Sequence, residues 1–121
     1  MLKRRANKKR ISCVIPTFNR RELCIKCIKK YVSVCTIPTE LIVVDDCSEE
    51  DLSCYLKEIN SGMHSIITLR NEKNCGIGFS RARGVDYSLD RGYEYILNLD
   101  DDAIIYKNTV EKLFNVIRQD N

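Results

Sequence analysis

Apolar and polar positions along this chain alternate between two periods, and each switch marks a new element. "ISCVIP" at residues 11–16 is a short, nearly continuous apolar run closed by proline, the pattern of a strand buried on both faces. In "TFNRRELCIKCIKKYVSVC", which follows, Leu23, Cys24, Cys27, Ile28, Tyr31, Val32 and Cys35 recur at helical spacing with Lys and Arg between them. "TELIVVDDCS" predicts a second strand, β-branched and apolar, that stops at two aspartates. Ser48 with Glu49, Glu50 and Asp51 behind it has the form of a helix N-terminus, where the dipole favours acids. That helix is expected to run on through "DLSCYLKEIN" and to close at "SGM". "HSIITLR" predicts a third strand, residues 77–91 a helix closed by Gly92, and "YEYILNL" a fourth strand. "AIIY" reads as extended. "KNTVEKLFNVIRQ" reads as a last helix with Val110, Leu113, Phe114 and Ile117 on one face.

The resulting order, β-α-β-α-β-α-β-α, predicts an α/β fold: a mostly parallel, Rossmann-like sheet with helices on both faces. In such sheets ligands sit beyond the carboxyl ends of the strands. The positions of interest are therefore Thr17, Phe18, Asn19 and Arg20, then Asp45 and Asp46, then Asn71 and its glycine loop, and finally Asp100, Asp101 and Asp102.

Composition narrows this picture. At 121 residues, 44% hydrophobic and 31% charged, the chain is one ordinary globular domain. No apolar stretch reaches the length of a membrane helix. The net charge of +3 is uneven: residues 1–10 hold six of the 20 Lys and Arg, leaving 14 basic against 17 acidic side chains. A mildly acidic body argues against nucleic-acid binding. The basic leader over residues 1–10 is expected to be a disordered, solvated tail ahead of a domain over 11–121; contact with anionic headgroups at the inner membrane face is the alternative. Six of the seven cysteines lie inside apolar or helical patterns, which points to reduced thiols and the cytoplasm rather than a disulfide framework. Cys24 and Cys27 form a C-x-x-C on a helix with no second pair at zinc-site spacing, so both are expected to be core.

The acids carry the candidate chemistry. Like charges about 4 Å apart repel by roughly 4 kcal/mol at an effective dielectric near 20, so three adjacent aspartates need relief. Along an extended segment Asp100 and Asp102 point together and Asp101 away, and two converging carboxylates make a hard-oxygen site for Mg²⁺ or Mn²⁺ bridging a diphosphate. A solvated acidic loop or a helix cap is the plain alternative. Asp45 suits a helix cap. Asp46 suits hydrogen bonds from a base or ribose, or a second cap. "NCGIGFSRARG" has Arg81 where the dinucleotide fingerprint needs glycine and follows the third strand, so it fails that test, and there is no P-loop. Arg81 and Arg83 either meet phosphate oxygens or lie on a solvated helix face. His64, the only histidine, is expected at the surface, and without a second one a Ser-His or Cys-His nucleophile has no support.

Taken in order, "ISCVIPTFNRRE", "ELIVVDDCS", "N-x-G…ARG" and "YILNLDDDA" resemble the donor-binding, N-terminal half of the inverting glycosyltransferases of family 2, which have the A-type nucleotide-sugar-binding fold. The resemblance covers roughly residues 11–117. It implies a Mg²⁺- or Mn²⁺-dependent enzyme with a nucleotide-diphospho-sugar donor. By position, Pro16, Thr17, Phe18 and Asn19 would line the nucleotide pocket, Phe18 against the base. Asp46 would contact the base, Arg83 would lie near the diphosphate, and Asp101 would touch the ribose or donor sugar. Asp102 would hold the metal, with Asp100 completing the D-x-D.

Two departures follow. "ARG" stands where the family usually has "ARN". The family's acceptor site and catalytic base lie beyond the matched region, and neither Glu111 nor Asp120 matches the base, so the acceptor and catalytic residues are unassigned. The chain is therefore expected to bind donor, and to expose an apolar face that a second copy or a completing chain covers. A non-catalytic nucleotide- or metal-binding module on the same fold is the second reading. A phosphoacceptor receiver domain needs an acid pair after its first strand, where this chain has "TFNR".

Overall fold

A computed structural model describes residues 11–120, without the side chain of Asp120; the leader expected over 1–10 lies outside the described residues. Among the described residues eight elements alternate strictly: β1 Ile11–Thr17, α1 Arg21–Val34, β2 Thr39–Asp45, α2 Ser53–Lys57, β3 Ser65–Arg70, α3 Ile77–Asp90, β4 Tyr95–Asn98 and α4 Thr109–Asp120. The four strands form one parallel sheet in the order β3-β2-β1-β4. β1 and β2 are buried at every residue, which is why both read as unbroken apolar runs. The edge strands β3 and β4 are half-buried over most of their length.

The chain steps outward from β1 to β2 to β3, then crosses to the other side of β1 to add β4. That reversal separates the loop after β1 from the loop after β4, and the crevice between them is where such sheets bind ligands. Helices cover both faces. On one, Cys24, Cys27, Ile28 and Tyr31 of α1 pack with Cys13, Ile15, Leu41 and Val43; on the other, Val85 and Tyr87 of α3 pack with Val14, Ile42 and Val44. Among the described residues no helix is long and apolar enough to cross a membrane.

Two expectations need correction. The helix foreseen from Ser48 is only Ser53–Lys57, because the backbone at Cys47 turns left-handed (φ 65°) and the next amides are taken from outside. Ser48 N–H donates to Asp45 Oδ1 (2.9 Å), and Glu49 N–H to Asn19 Oδ1 (2.8 Å). Residues 46–52 are thereby clamped to the loop after β1 instead of starting a helix. His64 is buried, not at the surface. Its Nδ1 accepts the Thr39 N–H (3.1 Å) and its Nε2 donates to the Cys35 carbonyl (3.0 Å), with Tyr31 edge-on to the ring. A single imidazole thus satisfies two backbone groups at the entrance to β2. On α4, Val110 and Phe114 are buried, whereas Leu113 and Ile117 are exposed, as are Ile104 and Tyr106 before the helix.

All seven cysteines are free thiols. Burial pushes the Cys24 thiol up to about 12 and the Cys27 thiol to about 11, and raises Cys13 as well. Thiolate is the reactive form, so these three are inert while the fold holds. At mildly alkaline pH a thiol reagent is expected to modify the exposed Cys54 first, and Cys13, Cys24 and Cys27 only on unfolding; peptide mass spectrometry checks this. Early loss of Cys24 or Cys27 would show that α1 opens readily.

Candidate functional site

The loops after β1, β2 and β4 and the start of α3 enclose a cleft of about 250 Å³ lined by Pro16, Thr17, Phe18, Arg20, Asp46, Ile77, Ser80 and Asp101. Asp101 is buried and accepts the Thr17 hydroxyl (2.9 Å). Phe18 and Ile77 stand partly exposed, two apolar surfaces on an otherwise polar wall.

Asp46 organises the far side. Its Oδ1 accepts the Cys75 N–H (2.7 Å) and an Asn71 amide proton (2.8 Å), and its Oδ2 accepts the Gly76 N–H (2.8 Å). Burial alone would push this carboxyl up; the hydrogen bonds from Cys75, Asn71 and Gly76 outweigh that and hold it below its usual value. Gly76 sits at φ 95°, a conformation that glycine adopts without penalty and that aims its N–H at Asp46. Asn71 also donates to Ser80 Oγ (2.9 Å) and accepts from Arg83 Nη1 (2.8 Å). Arg83 therefore reaches the cleft through Asn71. Asp45 takes the Arg70 guanidinium (2.8 Å) and the Ser48 amide, so it braces a loop rather than capping a helix. Asn19 belongs to a neighbouring cleft of about 460 Å³ with Arg20, Arg21, Ser48 and Glu50.

The three aspartates do not lie as an extended strand would place them. The backbone turns at Asp101 and Asp102, closed by the Ala103 N–H to the Asp100 carbonyl (3.1 Å). Asp100 reaches Arg81 Nη2 on α3 (3.2 Å), and Asp102 reaches Arg20 Nη2 before α1 (2.8 Å). Asp101, expected to point away, is the one that enters the cleft. Arg20 also stands 3.5 Å from Asp101 through Nε. The repulsion among the acids is thus relieved by two arginines and a hydroxyl. Asp100 (72% exposed) and Asp102 (51% exposed) remain open to solvent, and among the described residues no group of three His, Cys, Asp or Glu side chains is poised around a metal position.

Ser80, Ile77 and the buttressing role of Asn71 leave no mark in the apolar periodicity. Only their position after the third strand hinted at them. The place of Arg20 behind β1 points to the site, but nothing local names its aspartate partners.

These features belong to a known class. Residues 12–121 match the family described as Glycosyl transferase family 2, and the chain is a member of it. The cholesterol galactosyltransferase of Borreliella burgdorferi is 30% identical over 115 residues, covering 95% of this chain and 31% of that protein. The chain thus spans about a third of that curated relative's length. Among solved structures, residues 1–349 of S. aureus TarS in complex with UDP-GlcNAc superpose with a TM-score of 0.75 at 23% identity, over 91% of this chain and 31% of that one. The mannosyltransferase PcManGT from Pyrobaculum calidifontis, in complex with GDP-Man and Mn²⁺, gives a TM-score of 0.67 at 17% identity, over 85% and 30%. At these identities the two structures establish the fold, a parallel Rossmann-like sheet shared with glycosyltransferases.

Proposed function

We propose that this chain is the donor-binding part of a glycosyltransferase that takes a nucleotide-diphospho-sugar with Mg²⁺ or Mn²⁺ and passes the sugar to an acceptor. The observation that carries the reading is the cleft at the β1/β4 reversal, where Thr17, Phe18, Asp46 and Asp101 converge and Arg20 links the cleft to Asp102. Phe18 and Ile77 offer apolar surfaces for a base. Asp46, held by donors from Asn71, Cys75, Gly76 and Ser80, supplies the polar edge that such a base would meet. Asp101, steadied by Thr17, accepts a ribose or sugar hydroxyl. Pro16 and Asn19 shape the loop that carries Phe18, and Arg83 adds positive charge behind Asn71.

The residues fit a divalent ion. Asp102 presents exposed hard oxygens, and Mg²⁺ or Mn²⁺ of this kind takes one or two carboxylates and fills its shell with water and substrate phosphates; Asp100, turned toward Arg81, would join only by leaving that arginine. When bound it would act as a Lewis acid toward the departing nucleoside diphosphate. The thiol-rich composition suits the cytoplasm. Exposed Ile104, Tyr106, Leu113 and Val116 suit a covering by further chain or a second copy.

A thermal-shift panel of UDP, GDP, CDP and dTDP, each with and without Mn²⁺, tests the reading on this chain and on Asp102→Ala. One nucleotide is expected to stabilise the parent only with Mn²⁺, by about 2.7 kcal/mol at a hundredfold excess over Kd. The Asp102→Ala chain is expected to lose that response. Indifference to all four nucleotides would remove the donor-site reading.

A further inference from the structure

Arg20 occupies the place between the D-x-D and the donor cleft. It precedes α1, lines both the 250 Å³ and the 460 Å³ clefts, and its guanidinium spans Asp102 (Nη2, 2.8 Å) and Asp101 (Nε, 3.5 Å). Its neighbour Arg21 turns the other way, onto Glu50 and the Tyr55 ring. Arg81 is committed to Asp100. The carboxylate assigned to the metal is thus already paired with a cation.

That cation has three properties that matter. It is permanently charged, so no change of pH removes it. It sits on an exposed, flexible side chain, so it can move without disturbing the core. Its planar fork pairs with phosphate oxygens as well as with carboxylate. A divalent ion brought to Asp102 alone would meet the guanidinium at close range and be repelled. A divalent ion arriving with a diphosphate would bring the anion that draws the guanidinium off.

Resting on the donor-site reading above, we propose that Arg20 is an internal counter-cation: it holds Asp102 against free metal, then moves onto the donor's diphosphate, so that metal enters with the nucleotide and not before it. Arg20 is a positioning residue in this scheme. It sets the order of binding and supplies a phosphate contact.

Mn²⁺ binding to the whole chain, followed by electron paramagnetic resonance of free Mn²⁺, tests this on the parent, Arg20→Gln and Arg20→Lys, with Mn²⁺ alone and with Mn²⁺ plus each of UDP, GDP, CDP and dTDP. Arg20→Gln is expected to bind Mn²⁺ alone about tenfold more tightly than the parent, the scale seen when groups around a metal ligand change. The same variant is expected to bind the preferred nucleotide with Mn²⁺ about tenfold more weakly, having lost a charge-assisted phosphate contact. Arg20→Lys should fall between, since it keeps the charge and loses the fork. A merely structural arginine would move both affinities downward; opposite movements are the signature. Unchanged or weaker Mn²⁺ binding by Arg20→Gln, in a parent that does take up Mn²⁺ with a nucleotide, overturns the counter-cation role alone. A parent that takes up no Mn²⁺ with any of the four overturns the donor-site reading and this inference with it. Exposed ion pairs contribute little to stability, so both variants are expected to fold, with circular dichroism as the check.

Discussion

Replacing Gly84 by asparagine, the residue the family usually carries in this block, is expected to destabilise the chain by about 3 kcal/mol and to lower its Tm by about 12 °C. Gly84 lies in the middle of α3, where glycine is normally unfavourable by up to about 1 kcal/mol relative to alanine. On propensity alone, any substitution here should help. The packing says otherwise. A Cβ at this position would overlap Val14 Cγ1 and stand 3.1 Å from Val44 Cγ2. Val14 is β-branched, wholly buried and in a central strand, so it cannot swing aside cheaply. Asparagine would add an amide between two valines with nothing there to bond it. Gly84→Ala is expected to lose less, since it carries only the overlap. Thermal melts of the three chains decide the matter. A Tm for Gly84→Asn equal to or above the parent's would mean that α3 does not approach the sheet this closely.

Asp46→Ala is expected to cost about 3 kcal/mol, because three hydrogen bonds to one charged acceptor disappear together and a buried amide of Asn71 loses its anchor. The damage should be local before it is global. Hydrogen exchange at Cys75 and Gly76 is expected to speed up more than exchange in β1 or β2, since those two amides point at the missing carboxylate. Asp46→Asn is expected to do no better, because its own amide protons would confront the donors. The pH dependence follows from the direction of the shift. The folded carboxyl is held below its ordinary value of 3.8. As pH falls, the unfolded chain therefore takes up the proton first. The contribution of Asp46 is complete above that value and is lost as pH falls through the lower folded one. The Tm gap between parent and Asp46→Ala should hold at neutral pH and close in acid. A gap that widened in acid would contradict the hydrogen-bond account.

The strands, the helix around Cys24 to Tyr31 and the helix after Gly76 could be read from spacing, because apolar periodicity is a local property that burial enforces residue by residue. The acids closing β2 and β4 were equally plain, since aspartate at a strand end needs a reason. The β-α alternation also implied a parallel sheet with its business at the carboxyl edge, and with the four motif blocks it led to the family. Local patterns failed where a distant group decided the outcome. α2 shrank because Asn19, thirty residues away, takes the amide of Glu49. His64 looked like a turn residue, yet two backbone groups at the mouth of β2 draw it in. Alternation along an extended strand would pair Asp100 with Asp102, and a turn hands them instead to arginines on opposite faces of the sheet. The partnership of Arg20 with Asp102 spans 82 residues. Nothing in their spacing records it, because it exists only once the chain reverses across β1 and lays the loop after β4 beside the loop after β1. Periodicity thus settled which segments are strands and helices and which residues end them. Strand order alone settled which of those ends meet, since it depends on the packing of the whole sheet and not on any one segment.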